Sequence, residues 1–403
     1  MSISLFAAVE MAPRDPILGL TEAFNADSRT AKVNLGVGVY YDDNGKLPLL
    51  AAVKAAEKAR IEAQPARGYQ PIDGNPAYNQ SVRDLLFGAG SELASNGAVV
   101  TIQALGGTGA LKVGADYLKQ LLPQTTLFIS DPSWENHRAL FGAAGFPIET
   151  YPYYDPVTRG VDFAAMKQKL AALPPQSIVL LHACCHNPTG ADISDGQWRE
   201  IAAICEGKRL VPFLDMAYQG FADGIEQDTA AVRAFAACGV QFFVSSSFSK
   251  NFSLYGERVG ALSIVTASKE EAARVASQVK RVIRTNYSNP PTHGGAIVAA
   301  VLASPELRRL WEDELAGMRE RIRAMRAGFV EALKAEGVKQ DFSFIARQRG
   351  MFSFTGLNKE QVERLKSEFG IYAVSSGRIN VAALNSKNLP VVAKAIAAVV
   401  AAA

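Results

Sequence analysis

Short apolar segments alternate with helix-forming segments along most of this chain, and this alternation constrains the fold more than any other feature. Helix-forming sequence separates several of the apolar segments, as at residues 194–206. Buried strands separated by helices are typical of a parallel sheet covered on both faces. The sequence therefore predicts an α/β fold with a mostly parallel sheet. The apolar runs of strand length occupy residues 99–104, 127–130, 177–182, 210–214 and 240–244.

Polar residues follow these strands at the same end of each strand. They are Thr108, Trp134, Asn187, Asp215 and the group at 247–250. In open α/β sheets, ligands bind at the carboxyl ends of the strands. We therefore expect ring-stacking, hydrogen-bonding, anionic and phosphate-binding groups to meet at one edge of the sheet.

Lys250 lies in the stretch SSSFSKNFSLYGERVG, which occupies residues 245–260 directly after an apolar strand. Desolvation beside a buried strand would lower the pKa of this lysine and free its amine, although most lysines are solvated surface charges. The hydroxyls of Ser247 and Ser249 and the guanidinium of Arg258 can bind a phosphate. An amine beside a phosphate site suggests a Schiff base to a phosphorylated aldehyde cofactor.

Three motifs near strand ends have both a structural and a functional interpretation. The GGTG sequence at 106–109 could bind a phosphate at a helix N-terminus or could be a tight connection. Trp134 could stack on a flat cofactor ring or fill the core. Asp215 could pair with a protonated pyridine nitrogen or cap a helix.

Four further positions are possible site residues, and two of them, Gly38 and Arg378, admit two interpretations. Gly38, in the strand-like segment 33–40, indicates close approach of a ligand or backbone, or a simple bulge. Tyr69 lies in a loop rich in Gly and Pro, where a tyrosine usually packs. Arg378, in SGRIN, is a surface charge or a fork for a substrate carboxylate. Arg284 lies in a proline-bearing segment with loop character.

The composition argues against several functional classes. Charged residues make up 20% of the chain and the net charge is only +3, so neither nucleic acid nor an anionic membrane is an expected partner. No apolar segment approaches the length of a membrane span, about 18 residues. No secretory signal is evident, and the four cysteines form no disulfide framework. We therefore expect a reduced, cytoplasmic location.

A crowd of possible metal ligands at 182–186 is expected to be structural. It contains His182, Cys184, Cys185 and His186. Alternate residues of a strand face opposite sides, so we expect these four side chains not to converge on one metal, and no metal site is predicted.

The two ends of the chain and its longest helical pattern complete the predicted organisation. Residues 1–14 are expected to form a loose arm, and Asp15-Pro16 to open a helix that extends to about residue 25. One long helix is predicted for residues 296–336. An amphipathic helix at 391–403 is expected to end the chain.

Together these motifs resemble the class I aspartate and aromatic aminotransferases, which are fold-type I pyridoxal-phosphate enzymes. The resemblance covers essentially the whole chain. It is closer to the bacterial aromatic amino acid branch in stretches such as SIVLLHACCHNPTGAD, and in Phe248, where aspartate enzymes tend to have tyrosine. The motifs, in order, are NLGVGVY, YQPIDG, GGTGALKVGAD, DPSWENH, CCHNPTG, DMAYQGF, SFSKNFSLYGERVG, RTNYSNPP and SGRIN.

The resemblance implies how pyridoxal 5'-phosphate is held. Lys250 resembles the Schiff-base lysine, which also moves the substrate's Cα proton, and Asp215 resembles the partner of the pyridine nitrogen. Asn187 and Tyr218 match the hydrogen-bonding partners of the phenolic oxygen, and Trp134 matches the stacking tryptophan. Tyr69 matches a tyrosine that reaches the neighbouring subunit's phosphate. The residues that match the phosphate cup are Gly107, Thr108, Ser247, Ser249 and Arg258.

The resemblance also implies how the substrate is bound in a homodimer with shared active sites. Arg378 matches the clamp for the α-carboxylate, supported by the backbone at Gly38, with Trp134 and Asn187 also touching substrate. Arg284 matches the arginine that crosses the dimer interface to bind a side-chain carboxylate. His137 and His182 match histidines that lie near the aspartate.

The implied fold has a seven-stranded sheet in a large cofactor-binding domain, residues 46–309. A smaller α+β domain comprises residues 15–45 and 310–403. The implied reaction is transamination of tyrosine and phenylalanine with 2-oxoglutarate, with aspartate and glutamate also accepted. A dedicated aspartate aminotransferase is the alternative. Rival classes are a lyase or decarboxylase on the same scaffold, and a non-catalytic phosphate-binding protein.

Overall fold

The structure is a computed structural model that describes residues 4–13, 15 and 17–401. The predicted arm at 1–14, the helix start at Asp15-Pro16 and the helix end at 403 therefore lie partly outside the described residues. No helix within the described ranges is long and apolar enough to cross a membrane.

Helices make up most of the regular structure in the part of the chain that is described. Two short 3-10 helices lie at Gln227–Thr229 and Val381–Ala383. The α-helices are α1 (Leu18–Ala26), α2 (Ala51–Ala63), α3 (Pro76–Phe87), α4 (Glu92–Ser95), α5 (Gly106–Leu121), α6 (Glu135–Ala143), α7 (Phe163–Ala171), α8 (Asp195–Lys208), α9 (Ala230–Ala237), α10 (Lys269–Asn286), α11 (His293–Ala303), α12 (Pro305–Ala335), α13 (Phe344–Arg347), α14 (Lys359–Phe369) and α15 (Leu389–Ala401).

The strands form one large sheet and three two-stranded sheets. They are β1 (Val33–Asn34), β2 (Val99–Leu105), β3 (Leu127–Asp131), β4 (Ile148–Pro152), β5 (Tyr154–Asp155), β6 (Gly160–Val161), β7 (Ile178–His182), β8 (Val211–Met216), β9 (Phe242–Ser247), β10 (Val259–Val265), β11 (Phe352–Phe354), β12 (Ile371–Tyr372) and β13 (Arg378–Asn380). The small sheets pair β1 with β12, β11 with β13, and β5 with β6.

The large sheet has seven strands in the order β2-β10-β9-β8-β7-β3-β4. Only β10 runs antiparallel to its neighbours, and the pairs from β9 to β4 are parallel. The prediction of a mostly parallel sheet is confirmed. In register, His182 lies opposite Asp215, and Asp215 lies opposite Ser245, so the carboxyl ends of β7, β8 and β9 meet at one edge.

Alternate residues of each central strand pack into different apolar cores. Ile178 and Leu180 of β7 belong to the core under α5, α6 and α10, whereas Val179 and Leu181 face the core on the opposite side. All four are buried. A strand buried on both faces needs apolar residues at every position, which explains the uninterrupted apolar run in the sequence.

The segment predicted as a strand at 33–40 forms only the two-residue strand β1. A Cβ at Gly36 would lie 2.2 Å from a methyl carbon of Leu20, and a Cβ at Gly38 would lie 2.8 Å from the ring of Phe352. The extended prediction is therefore wrong, because the glycines serve close packing against other elements. The close neighbour of Gly38 is the Phe352 side chain, so this contact decides neither for an approaching ligand or backbone nor for a bulge.

The single helix predicted for 296–336 is two helices. Ser304 separates α11 from α12, has extended backbone and accepts a hydrogen bond from the Leu307 N–H through its side chain. Pro305 takes the first position of α12, where its missing N–H has no helical partner to lose. The prediction of one continuous helix overlooked this Ser-Pro start signal.

Candidate active site

A cavity of about 710 Å³ opens at the carboxyl edge of the large sheet. Most of the residues predicted from the sequence line it. They are Gly38, Gly107, Thr108, Trp134, His182, Asn187, Asp215, Tyr218, Ser247, Ser249, Lys250, Arg258 and Arg378. The expectation that polar groups from successive strand ends meet at one edge is therefore met.

Lys250 follows β9 and lies beside the ring of Tyr218, with its Nζ 4.7 Å from the ring centroid. Burial lowers the pKa of Lys250 to about 8; the Asp215 charge opposes this shift and the Arg258 charge adds to it. The solvated-surface interpretation is wrong for this lysine. A substantial fraction of its amine is neutral near physiological pH and can act as a nucleophile or base.

Asp215 is buried in strand β8 and accepts a hydrogen bond from His137 Nε2 at 2.8 Å. Burial alone would raise the pKa of Asp215, but the bond from His137 and nearby positive charge bring it below its usual value. The carboxylate is therefore ionised at neutral pH. The helix-cap interpretation is wrong, because the strand continues to Met216 and the next helical turn begins at Gln227.

A chain of hydrogen bonds fixes the orientation of His137 behind Asp215. His182 Nδ1 accepts from the Asn187 N–H at 3.5 Å, so His182 Nε2 carries the proton and donates to Ser133 Oγ at 3.3 Å. The Ser133 hydroxyl lies 2.9 Å from His137 Nδ1. Burial lowers the pKa of His182 to about 3, which keeps that ring neutral. Both predicted histidines thus belong to the support of Asp215.

The cup for an anion is formed by the start of α5 and the segment after β9. The Gly106 N–H donates to the Arg258 carbonyl at 2.9 Å, but no side chain caps the start of helix α5, so the next N–H groups of its first turn can face a ligand. A Cβ at Gly106 would lie 2.6 Å from the guanidinium of Arg258, so only glycine leaves room for that side chain. Arg258 Nη1 donates to Ser249 Oγ at 3.3 Å. Of the two interpretations of GGTG, the anion site is favoured.

Arg378 is only 1% exposed, which makes the surface-charge interpretation wrong. Its Nη1 donates to Asn187 Oδ1 at 3.0 Å and its Nη2 to the Gly36 carbonyl at 2.6 Å. The guanidinium stacks on the ring of Phe352, 4.4 Å from the ring centroid. Its Nε is buried and has no hydrogen-bond partner among the described residues. This orphaned donor fits a ligand carboxylate.

Trp134 is half-buried; it packs against the core under α5 and also lines the cavity. Its ring meets His137 edge-on, with centroids 5.1 Å apart. An indole in this position can stack on a flat ring in the cavity. Tyr218, which also lines the cavity, is buried, and burial raises the pKa of its hydroxyl.

Two predicted residues lie away from the cavity of this chain. Tyr69 is 95% exposed. Arg284 is also exposed, in the last turn of α10, where its guanidinium donates to the Ser288 hydroxyl. The prediction of loop character for Arg284 is wrong, because the helix-breaking prolines at 290 and 291 act only after α10 has ended at Asn286.

The possible metal ligands at 182–186 do not alternate along one strand, so that part of the prediction is wrong. Strand β7 ends at His182, and the following residues form a loop. The rings of His182 and His186 lie close, with centroids 4.2 Å apart, instead of facing opposite sides. Both nitrogens of His186 are occupied by the hydroxyls of Ser130 and Thr189.

Three residues at or next to the cavity were not predicted from the sequence. Phe352 resembles any apolar residue of a core strand, although its ring supports Arg378. Tyr255 lies within the SLYGERVG motif, and its hydroxyl accepts from the Tyr40 N–H at 3.0 Å. Ser133 lies within DPSWENH, and that position next to Trp134 was the signal that could have identified it.

The donor set fits a phosphorylated pyridine aldehyde. Arg258, the two serines after β9 and the start of α5 match a phosphate, and Trp134 matches a flat ring. Asp215 matches a protonated ring nitrogen, and the Lys250 amine matches an aldehyde. Arg378 remains for a second, carboxylate-bearing molecule.

Comparison with known proteins agrees with this assignment. The profile of the family described as aminotransferase class I and II matches residues 30–396. An aspartate aminotransferase of Pseudomonas aeruginosa is 67% identical and aligns over 98% of this chain and 99% of its own length. An aromatic-amino-acid aminotransferase of Escherichia coli is 50% identical, over 98% of this chain and 100% of its own.

A solved structure is similarly close. It is that of an aromatic-amino-acid aminotransferase from Burkholderia pseudomallei, covalently bound to pyridoxal phosphate. It is 67% identical and superposes with a TM-score of 0.97, covering 99% of this chain and 100% of the other.

Proposed function

The chain belongs to the class I and II aminotransferases, and from this premise we propose that it transfers the amino group of tyrosine and phenylalanine to 2-oxoglutarate and also accepts aspartate and glutamate. It is a transaminase with pyridoxal phosphate as cofactor. The observation that carries the proposed reaction is the buried Arg378, whose Nε has no hydrogen-bond partner among the described residues, in the same cavity as the Lys250 amine.

We propose that the residues of the anion cup hold the cofactor phosphate, namely Gly107, Thr108, Ser247, Ser249 and Arg258. Trp134 covers the ring, and Asn187 and Tyr218 bond its phenolic oxygen. The Asp215 carboxylate keeps the ring nitrogen protonated, because its own negative charge is maintained by His137. The bound cofactor supplies an electron sink for the bond at the substrate's Cα and carries the amino group between the two half-reactions.

The protein's own residues orient the substrate and move one proton. Arg378 and Asn187 bind the α-carboxylate, which fixes the position of the Cα. The neutral Lys250 Nζ takes the proton from the substrate's Cα. The resulting ammonium gives that proton up again as the amino group is transferred. Its lowered pKa suits both directions, since a base near the working pH can accept and release a proton with similar ease.

The charges in the cavity support a substrate with an uncharged side chain. Among the described lining residues, the cations are Lys250, Arg258 and Arg378. The proposed cofactor and α-carboxylate occupy all three. Ile17 and Phe352 add apolar surface at the cavity wall. A substrate's phenyl ring therefore needs no further charged partner, whereas a side-chain carboxylate needs a cation from outside this chain.

We expect the Lys250 amine of the apoenzyme to react with pyridoxal phosphate faster as the pH rises, with a midpoint near pH 8. Burial disfavours the ammonium form, so the neutral fraction grows from about one tenth at pH 7 to about one half at pH 8. The attachment rate can be followed by absorbance between pH 6 and 9. Nα-acetyl-lysine in solution, followed up to about pH 12, is the control and should show a midpoint of about 10.4. The same high midpoint in the apoenzyme would contradict the assignment.

A homodimer with shared sites is part of the proposal. Exposed apolar residues in the sequence before Tyr69 are Leu47, Leu49 and Ile61. Such residues favour contact with a second copy of the chain. Tyr69 and Arg284 then act in the partner's cavity: Tyr69 at the phosphate, and Arg284 as the missing cation for a side-chain carboxylate.

The Arg284→Leu variant should lose activity with dicarboxylic substrates selectively. We expect kcat/KM for aspartate to fall about 100-fold, and for phenylalanine less than about threefold, because only aspartate leaves an unpaired carboxylate. Steady-state kinetics with a fixed 2-oxoglutarate half-reaction measures both. Arg281→Leu, one turn earlier on the exposed side of α10, is the matched control. Equal losses for the two amino acids would argue against the assigned role.

Mixed dimers test whether Arg284 acts across the interface. Chains with Lys250→Ala and chains with Arg284→Leu are unfolded, mixed and refolded together. If Arg284 serves the partner's site, each hybrid dimer contains one complete site, and aspartate activity reappears. No recovery in a verified hybrid would contradict the shared site.

We also propose how the chain divides into domains and where in the cell the protein is located. A separate apolar core joins Leu35 with the second half of α12 and with α14 and α15. This supports a small domain made of residues 15–45 and 310–403, and a large domain of residues 46–309. A cytoplasmic location remains the expectation for a cofactor-dependent enzyme with free, buried thiols.

A dedicated aspartate aminotransferase is the second candidate, favoured by the name of the Pseudomonas aeruginosa relative.

The first experiment tests the reaction class. The holoenzyme is supplied with phenylalanine and 2-oxoglutarate, and phenylpyruvate and glutamate are quantified. Equal amounts of the two products are expected, and without 2-oxoglutarate no glutamate and no more than one phenylpyruvate per active site. Carbon dioxide or ammonia released without 2-oxoglutarate would indicate a decarboxylase or lyase instead.

A further inference from the structure

Two segments from distant parts of the chain pack against each other behind Asn187 and Arg378. One is the loop 185–192, and the other is the turn 349–352. The Arg349 N–H donates to the Gly190 carbonyl at 2.8 Å. A Cβ at Gly190 would lie 2.6 Å from the Phe352 carbonyl oxygen, and a Cβ at Gly350 would lie 2.4 Å from Cys185. We refer to this contact as the loop–turn seam.

Asp192 closes the loop on its side of the seam. Its two carboxylate oxygens accept from the backbone N–H groups of Cys185 at 2.7 Å and His186 at 2.8 Å. Cys185 has a left-handed backbone, with φ at 51°, and its N–H is fixed by this bond. The next residue after His186 is Asn187. The carboxylate therefore sets the course of the backbone that carries Asn187 into the cavity.

Arg326 holds the turn on the other side of the seam. This arginine of α12 is 1% exposed and donates to four backbone carbonyls of one short segment. Burial lowers the pKa of Arg326 to about 10, so the guanidinium stays charged at neutral pH. The acceptors are Ile345 at 3.0 Å, Arg349 at 3.3 Å, Gly350 at 2.8 Å and Phe352 at 2.5 Å.

Phe352 connects the seam to the carboxylate clamp. Its carbonyl is bound by Arg326, and its ring lies under the guanidinium of Arg378. Asn187, from the other side of the seam, accepts from Arg378 Nη1. Two independent supports of Arg378 are therefore fixed by residues that do not themselves line the cavity.

We infer that Arg326 and Asp192 are positioning residues that set the Arg378–Asn187 pair for the α-carboxylate shared by every substrate. This inference rests on the proposed function, since it assumes that Arg378 binds that carboxylate. A clamp that holds substrate and transition state equally affects KM, not kcat. Loosening the seam should therefore weaken the binding of amino acids and oxo acids alike, regardless of their side chains.

The test uses Arg326→Lys and Asp192→Asn in the holoenzyme. An ammonium cannot reach four carbonyls in a planar fork, so Arg326→Lys should raise KM for phenylalanine, aspartate and 2-oxoglutarate about tenfold each, with kcat within about twofold. Asp192→Asn keeps its size but loses one acceptor, and KM should rise about threefold. The dissociation constant of 3-phenylpropionate, measured by calorimetry, should rise by the same factors.

Arg321→Lys is the matched control. Arg321 is on the same helix and donates to the carbonyls of Ala382 and Leu384, away from the seam, so wild-type KM values are expected. A lower kcat with unchanged KM in Arg326→Lys would show a structural role only and overturn the inference. If Arg326→Lys does not fold, the test rests on Asp192→Asn. The inference is then overturned if Asp192→Asn has the same KM values and the same affinity for 3-phenylpropionate as the wild type. Failure of the wild-type enzyme to bind 3-phenylpropionate or transaminate would refute the proposed function, a separate outcome.

Discussion

The Lys250→Ala variant is expected to lose transamination by at least about 10⁴-fold in kcat while keeping its fold. The amine has two proposed tasks, attachment of the cofactor and transfer of the Cα proton, and each is worth orders of magnitude in rate. Alanine removes both and leaves no other neutral amine in the cavity, where the remaining described cations are arginines. Single-turnover kinetics with phenylalanine measures the loss.

Lys167→Ala is the matched control for this prediction. Lys167 is a half-buried lysine of α7 that is paired with Glu200 and does not line the cavity, and its loss should leave kcat unchanged. Thermal unfolding should give similar midpoints for both variants and the wild type. Mass spectrometry after borohydride reduction should find the cofactor's mass on the wild-type peptide that contains Lys250. Full activity of Lys250→Ala would refute the mechanism.

The Asp215→Asn variant should lose about 10³-fold in kcat/KM for every substrate. Asparagine has the shape of aspartate but no charge, so it cannot stabilise a protonated ring nitrogen. Loss of one partner of a buried charge pair costs about 3–5 kcal/mol. His137 would also lose the anion to which its Nε2 donates. Asp116→Asn, which removes a charge from the partly exposed pair with Lys112, is the control and should have no effect.

Two results would contradict this assignment of Asp215. Near-normal kcat/KM in Asp215→Asn would show that the carboxylate has no electronic role. A loss confined to one substrate class would show that Asp215 acts on substrate side chains and not on the shared chemistry.

The sheet and the site edge could be predicted because burial on both faces leaves an unambiguous mark. Residues 178–181 are apolar throughout, since each alternate residue enters a different core. The polar residues that end these strands are conspicuous for the same reason. Asp215 and Lys250 were identifiable because a charge directly after or within an apolar strand is unusual.

Other features depend on contacts that local sequence does not record. Phe352 has the appearance of a core residue, and only the fold brings its ring under Arg378. Prolines suggested a loop at Arg284, but α10 continues past that residue. The segment at 33–40 has the composition of a strand, yet its glycines fit against Leu20 and Phe352, which are distant in sequence. Asp192 and Arg326 carried no signal, because their partners are backbone groups.

A comparison of three amino acid substrates tests the proposed substrate range directly. The measurement is kcat/KM for phenylalanine, tyrosine and aspartate, each with saturating 2-oxoglutarate and the fully loaded holoenzyme. We expect values for the two aromatic amino acids within about tenfold of the value for aspartate, because one pocket serves uncharged rings directly and dicarboxylates through Arg284. Aromatic values more than about 10³-fold below that of aspartate would contradict it and identify a dedicated aspartate aminotransferase.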